Sequence, residues 1–370
     1  MSRTWAIIER ELRRFRRSPF LIVVSMVFPL VQLVILGYAF GGTVKHLRIA
    51  VVDQDHGLPA VRVRELANAV VAGPKTYELL DYGDQGRALD DLRIGRINGV
   101  LTIPPEFSRK MLTGQDPRLA LIQDNTDNFV SATLVGNMGS LLGAYNEPVL
   151  QARVSNKAAL DVVELYPYVP YIQYLLPGSI TMSIFMMVMI GGGIIFIDDK
   201  ARGLHEGYLV TPITKLELVA GFNISGTIKA VLAGLVITIV GSLVAGVPNP
   251  LDPFRLARLF IVISVTAFSL ISLMFLIMVR VSDPLMPRAI FGVLNTLLYF
   301  PSGAVYPTQG FPQWMQWIAA VDPFTYAVHA FKTLLLKNTG LEAVTGDLMY
   351  LLIFCTIAMT AATTLFKRTL

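Results

Sequence analysis

The chain has 370 residues, 54% of them hydrophobic and only 15% charged, with a mean hydropathy of +0.57. Soluble chains carry about 25% charged residues, so a single water-soluble globule is excluded. The formal net charge of +5 does not point to nucleic acid: six arginines, set against Glu9 and Glu11, sit within residues 1–19 directly before an apolar run, as the positive-inside rule requires of a membrane protein.

The remaining charge is unevenly placed. Between Lys45 and Glu164 lie 28 charged residues, 13 basic and 15 acidic, which is an ordinary soluble density. Elsewhere charges cluster between long uncharged runs. The pattern predicts a membrane protein carrying one water-exposed domain.

In chain order, residues 1–19 come first. Trp5, Ile8, Leu12 and Phe15 form an apolar stripe at helical spacing, with Arg10, Arg13, Arg14 and Arg17 on other faces. That is the pattern of a basic amphipathic helix lying against membrane lipid; the alternative is a charge cluster that only sets orientation. A first span is predicted over 20–42, since about 20 apolar residues cross the hydrocarbon core. Its apolar stretch is too long for a signal-peptide core, and cleavage is not expected. Gly37 and Gly41 lie one turn apart in it, and small residues at that spacing let helices approach closely.

Residues 45–170 alternate strand and helix signals. Strands are expected at 47–52, 77–82, 99–103 and 119–123, and helices at 59–72, 85–94 and 105–112. A longer helical stretch from 128 to 165 then leads back to the membrane. This order implies a small α/β layer. Asp53, Asp55, Asp124 and Asp127 lack the glycine and distal glutamate of a calcium loop and are read as turn residues.

The second span is predicted over 175–197 and contains Gly191, Gly192 and Gly193, a helix-packing or flexible site. A charged loop, 198–217, separates it from a third span at 222–246. Spans four, five and six follow at 259–279, 289–308 and 348–366. Pro301, Pro307 and Pro312, followed by Trp314 and Trp317, favour a re-entrant segment near 309–335 over another full crossing. Lys229 is the one clear charge inside a span, two turns from its end, and is expected to snorkel to the interface.

Orientation follows from the basic residues of the short loops. With the N-terminus inside, thirteen Lys and Arg lie on the inner side and four (Arg255, Arg258, Lys332 and Lys337) on the outer side. Both termini are therefore expected in the cytoplasm, with residues 45–170 outside. The fold class expected is an α-helical polytopic membrane protein. It has six transmembrane helices, an amphipathic N-terminal elbow helix, and a small α/β extracytoplasmic domain between spans one and two.

No G-x-x-x-x-G-K-[ST] loop occurs, so this chain is not expected to hydrolyse ATP by that route. Neither H-E-x-x-H nor G-x-S-x-G is present, and His46, His56, His205 and His329 are scattered; no catalytic residue and no metal site are predicted. Carboxylates are missing from the span interiors, which disfavours a proton- or sodium-coupled carrier.

The 198–217 loop mixes both signs of charge. Gly203, Glu206, Thr211, Pro212 and Glu217 match the pattern E-x-x-x-G-T-x-E-x-L-x-x-T-P-x-x-x-x-E, with Asp199 in the place of its first glutamate, Leu204 where threonine is usual, and Leu209 one position past its leucine. Near the end, residues 321–328, VDPFTYAV, are similar to an N-P-L-T-Y segment, with Asp322 in place of asparagine. With the N-terminal elbow and the domain after span one, the chain resembles the permease subunit of a type-2 ABC exporter. The similarity is to the subclass with a large insertion after the first span.

The resemblance implies a second permease in a homo- or heterodimer and a separate ABC ATPase that binds ATP and Mg. It also implies a periplasmic adaptor in some members, and residence in the cell inner membrane. It places ATPase coupling at Asp199, Gly203, Glu206, Thr211, Pro212 and Glu217. Glu206 would pair with the partner or cap within the loop, unless it is a solvated carboxylate. The competing reading is a non-transporting envelope receptor or scaffold whose outer domain binds ligand.

Overall fold

A computed structural model of the chain describes residues 2–41, 47–72, 77–123, 128–146, 169–194, 213–279, 281, 283 and 286–365. They fall into two compact units, one formed by Met1–Gly41 with Glu164–Leu370, the other by Gly42–Val163.

The first unit is helical. α1 (Ser2–Arg16) precedes α2 (Pro19–Gly41), α7 (Tyr171–Val188) runs on as a π-helix over Met189–Ile194, and α8 (Lys215–Val244) and α9 (Pro253–Met278) follow. Next come α10 (Met286–Tyr299), a 3-10 turn at Thr308–Gly310, α11 (Gln313–Val321), α12 (Pro323–Leu336) and α13 (Thr345–Leu365).

Among the described residues, five helical segments are long and apolar enough to cross a membrane, namely Ile22–Phe40, Tyr171–Gly193, Leu216–Val244, Pro253–Met278 and Leu341–Leu365. The fifth crossing expected over 289–308 takes a different form. α10 has 14 residues and reaches about 21 Å, short of the roughly 30 Å hydrocarbon core. The chain then turns through Pro301, Ser302 and Gly303, with Gly303 at φ 82°. Two short helices, α11 and α12, occupy the stretch expected to be re-entrant, and Asp322 divides them. Its carboxylate accepts from the Phe324 amide at 2.9 Å, an N-cap that starts α12 at Pro323.

α7 is the axis of this unit. Every residue from Leu175 to Val188 is buried, so it has no lipid-facing stripe. Its hydroxyls are satisfied within the protein: Thr181 donates to the Pro177 carbonyl at 3.0 Å, and Ser183 donates to the Ser25 carbonyl of α2 at 3.3 Å. Such pairing is what a water-free interior demands.

Glycines set the spacing of neighbours. A Cβ on Gly178 would lie 2.6 Å from the Ala304 Cβ, and one on Gly37 would lie 2.6 Å from Ile172 Cγ1 of α7. The Gly37 approach is thus made between two helices of the same chain.

The second unit holds β1 (Leu47–Asp53), α3 (Leu58–Ala72), β2 (Tyr77–Asp81), α4 (Gln85–Arg93), β3 (Gly99–Ile103), α5 (Phe107–Leu112), β4 (Ala120–Gln123) and α6 (Asn128–Asn146). The sheet order is β2-β1-β3-β4, with β1 parallel to both neighbours and β4 antiparallel to β3. Period-two alternation sorts the strands between two cores. Leu47, Ile49 and Leu101 face α3, α5 and α6, whereas Ala50, Val52 and Val100 face Ala88 and Leu92 of α4. α5 starts at Phe107, two residues later than the sequence suggested, because Glu106 adopts a left-handed backbone (φ 66°) that no helix interior accommodates. Of the helical stretch expected over 128–165, residues 147–165 lie outside the described residues.

Glycine-to-alanine changes should act in opposite senses on the two units. Gly178→Ala forces Ala304 away and should destabilise the bundle by about 1–3 kcal/mol. A Cβ on Gly139 of α6 meets no atom within 4 Å, so Gly139→Ala should stabilise its helix by up to about 1 kcal/mol. Hydrogen exchange of α7 and α6 amides checks both signs, and faster exchange in α6 of the second variant would contradict the open site seen there.

Candidate functional site

α1 sets its buried face by 3.6-residue geometry. Ile7, Ile8, Glu11 and Phe15 are buried, while Trp5 is 62% exposed and Leu12 is only half-buried. The apolar stripe expected through Trp5, Ile8, Leu12 and Phe15 is therefore rotated, and an acid occupies its centre. The reason lies in what α1 meets. Gly221 of α8 leaves room for Ile7, whose Cβ would stand 3.0 Å from a Cβ added there. Two turns further along α8, Lys229 presents its ammonium to Glu11.

That pair is the chemical centre of the unit. Lys229 Nζ lies 2.9 Å from Glu11 Oε2, with the two side chains 1% and 2% exposed. The same ammonium donates to the Gly191 carbonyl at 3.0 Å and sits 5.9 Å from the centre of the Phe15 ring. Arg10 Nη1 approaches the other Glu11 oxygen at 3.6 Å. The outward route expected for Lys229 is not taken, since a carboxylate from α1 meets the charge inside the protein and removes the reason to snorkel.

Gly191 belongs to the π-helical segment, and the three glycines explain that segment. Glycine is a weak α-helix former, and single π turns recur at functional positions in helices. Without side chains, Gly192 and Gly193 also let α9 press close. A Cβ on Gly192 would stand 2.5 Å from Ile271 Cδ1, and one on Gly193 would collide with Met274 Cε. Three segments far apart in sequence, around residues 11, 191 and 229, are thereby tied at one point.

Of the positions singled out in the 198–217 loop, Asp199, Gly203, Glu206, Thr211 and Pro212 lie outside the described residues. Glu217 is described, and it closes a capping box at the start of α8. Its Oε2 accepts from the Thr214 amide at 2.8 Å and the Thr214 hydroxyl at 2.9 Å, and its own amide donates to Thr214 Oγ1 at 3.2 Å. Arg13 pairs with Glu9 on the exposed side of α1. Gly41 ends α2. Among the described residues no three His, Cys, Asp or Glu side chains converge on a metal position.

The sequence reading missed Glu11. Its signal was a lone acid spaced four residues from both Ile7 and Phe15, on the face that turned out to be buried. A second polar contact also escaped it: Ser272 of α9 donates to Asn223 Oδ1 of α8 at 3.0 Å and lies 3.3 Å from the Cys355 sulfur of α13.

Comparison with known proteins decides the family. Residues 19–364 match the ABC-2 family transporter protein. The chain belongs to that family. It is 24% identical over 371 residues to the probable multidrug ABC transporter permease YbhR of Escherichia coli K12, covering 99% of this chain and 98% of that one. The inner membrane transport permease YhhJ of the same strain is 25% identical over 89% of this chain and 87% of its own. ABC transporter G family member 20 of Dictyostelium discoideum is 22% identical over 91% of this chain and 46% of its own. This ABC-2 family chain is a membrane protein, and the permeases YbhR and YhhJ align along 99% and 89% of it.

The buried pair yields a measurable asymmetry. Removing one member leaves the other charge buried without a counterion, which typically costs about 3–5 kcal/mol. Glu11→Ala and Lys229→Ala should each lower the thermal midpoint in detergent sharply. Glu11→Gln combined with Lys229→Met should recover most of the loss, and additive losses in the double variant would show that the two charges do not depend on each other.

Proposed function

We propose that this chain is the membrane permease subunit of an ATP-driven exporter, forming the path for an amphipathic small molecule, drug, lipid or glycan. ATP, with Mg, is bound and hydrolysed by a separate ABC ATPase, and two permeases form the pathway as a homo- or heterodimer. In this reading both termini and the 198–217 loop face the cytoplasm, and the α/β unit lies on the other side, within reach of a periplasmic adaptor. The membrane is the cell inner membrane.

The observation that carries the reading is the junction of Glu11, Lys229 and the Gly191 carbonyl. A permease that hydrolyses no ATP must receive work through a cytoplasmic contact, and the loop holding Gly203, Glu206 and Thr211 begins just beyond the π turn. A push on that loop would bear on Gly191, and through Lys229 on α1 and α8 together. A buried ion pair resists separation more than an exposed one does, so the junction transmits displacement instead of absorbing it. The family membership and the permease relatives support the same role.

Two experiments test this. Glu206→Ala should leave the protein folded and inserted, yet weaken co-purification of the ATPase or its substrate-stimulated hydrolysis. Unchanged association and export in Glu206→Ala and in Thr211→Ala would move the contact elsewhere. Orientation is checked separately by a cysteine placed at Asp84, which should react with a membrane-impermeant maleimide in cells with a permeabilised outer membrane and intact inner membrane. Reaction only after disruption of the inner membrane would invert the arrangement.

A further inference from the structure

Gln173 Nε2 donates to the Ala245 and Gly246 carbonyls, which places the start of α7 beside the end of α8. From Gly191 to this end, α7 and its π turn rise about 25 Å, so it is the end of the bundle remote from α1. Here Tyr174, the turn at Ser302 and Gly303, the 3-10 turn, α11, α12 and the start of α13 enclose a cavity of about 520 Å³. That volume suits a small molecule.

Its polar lining is unbalanced. Lys332 Nζ donates to the Gly303 carbonyl at 2.6 Å and stands 3.5 Å from the centre of the Tyr174 ring. Both partners are uncharged, and among the described residues no carboxylate lies within ion-pair distance of Lys332. Asp347, the acid that lines the cavity, is engaged by His329 Nδ1 at 2.7 Å. Thr325 Oγ1, also in the lining, is buried with no hydrogen-bond partner among the described residues. Lys229, at the other end of the same bundle, has its carboxylate; Lys332 has none among the described residues. A partly desolvated ammonium with no counterion among the described residues, sharing a cavity lining with an unpartnered hydroxyl, is an arrangement that an anion completes.

We infer that this cavity binds an anionic group carried on a small aromatic or apolar body, with the anion meeting Lys332 and the Thr325 hydroxyl and the body lying against Tyr326. The anion can come from a free organic acid or from a lipid headgroup, since both present the same oxygens. The inference concerns binding alone and stands or falls independently of the exporter reading.

The test uses the full chain in phosphatidylcholine nanodiscs, with 2-naphthoate as anion and 2-naphthylmethylammonium as the matched cation. Binding is measured by calorimetry, and empty nanodiscs supply the background. Naphthoate should bind at least about tenfold more tightly than the cation, and Lys332→Gln should weaken it by about tenfold or more, as expected for a charged hydrogen bond. Lys332→Arg should keep naphthoate affinity within about threefold, because the charge is retained. Lys337→Gln, five residues on and outside the lining, should change nothing.

Equal binding of anion and cation, or undiminished naphthoate affinity in Lys332→Gln, overturns the proposal. Should Lys332→Gln fail to fold, Thr325→Val decides: a loss of about threefold or more supports the site, and no loss overturns it. Nanodiscs enriched in phosphatidate identify the source. Competition with naphthoate assigns the site to a lipid headgroup as well, and its absence assigns it to free organic anions; both results rest on the same Lys332-dependent binding.

Discussion

A carboxylate and an ammonium, both removed from water, meet 2.9 Å apart where α1 crosses α8, and much of the helical unit is arranged around that constraint. Neither charge is tolerable alone in such a place. The pair therefore fixes the rotation of α1 on its axis, its depth along α8, and the position of the Gly191 carbonyl that accepts the third contact. Change any of these and a buried charge loses its partner. The amphipathic helix, which the arginines alone would leave free to lie anywhere on a membrane surface, is thereby locked to one site.

The same rule governs the unit's core on a smaller scale. α7 is enclosed on every side, so its hydroxyls turn to the carbonyl one turn back or to a neighbouring helix. Small residues let those neighbours come close enough to serve, as at Gly178 against Ala304 and Gly234 against Ile184 and Ile263. Where glycines come in a row, the helix widens into a π turn and one carbonyl is offered to Lys229. Close packing, the irregular turn and the buried charge are one arrangement seen from three sides.

The α/β unit follows a different logic, because its core comes from sheet alternation and not from helix crossing. Two parallel pairings put β1 at the centre, and the short antiparallel β4 closes one edge. The exposed charges of this unit form local pairs such as Arg64 with Asp81 and Arg93 with Asp90, worth little to stability. Its organisation rests on apolar alternation, which is why its strands could be located from sequence to within a residue or so.

Composition and periodicity alone determined that the chain is a membrane protein, where most of its long helices lie, and where an α/β layer interrupts them. These are local or cumulative properties, since about 20 apolar residues or a run of alternation signal themselves without reference to the rest of the chain. The tertiary structure decided what depends on residues distant in sequence. It shortened the fifth crossing to 14 residues, ending it at Tyr299 just before Pro301 and the turn through Gly303. It turned α1 so that Glu11, not Leu12, faces inward, and drew Lys229 away from the interface. Sequence shows that Glu11 and Lys229 are charged but not that each is the other's counterion across 218 residues; a buried charge is tolerated only by its partner, and only the folded chain brings the partner to it.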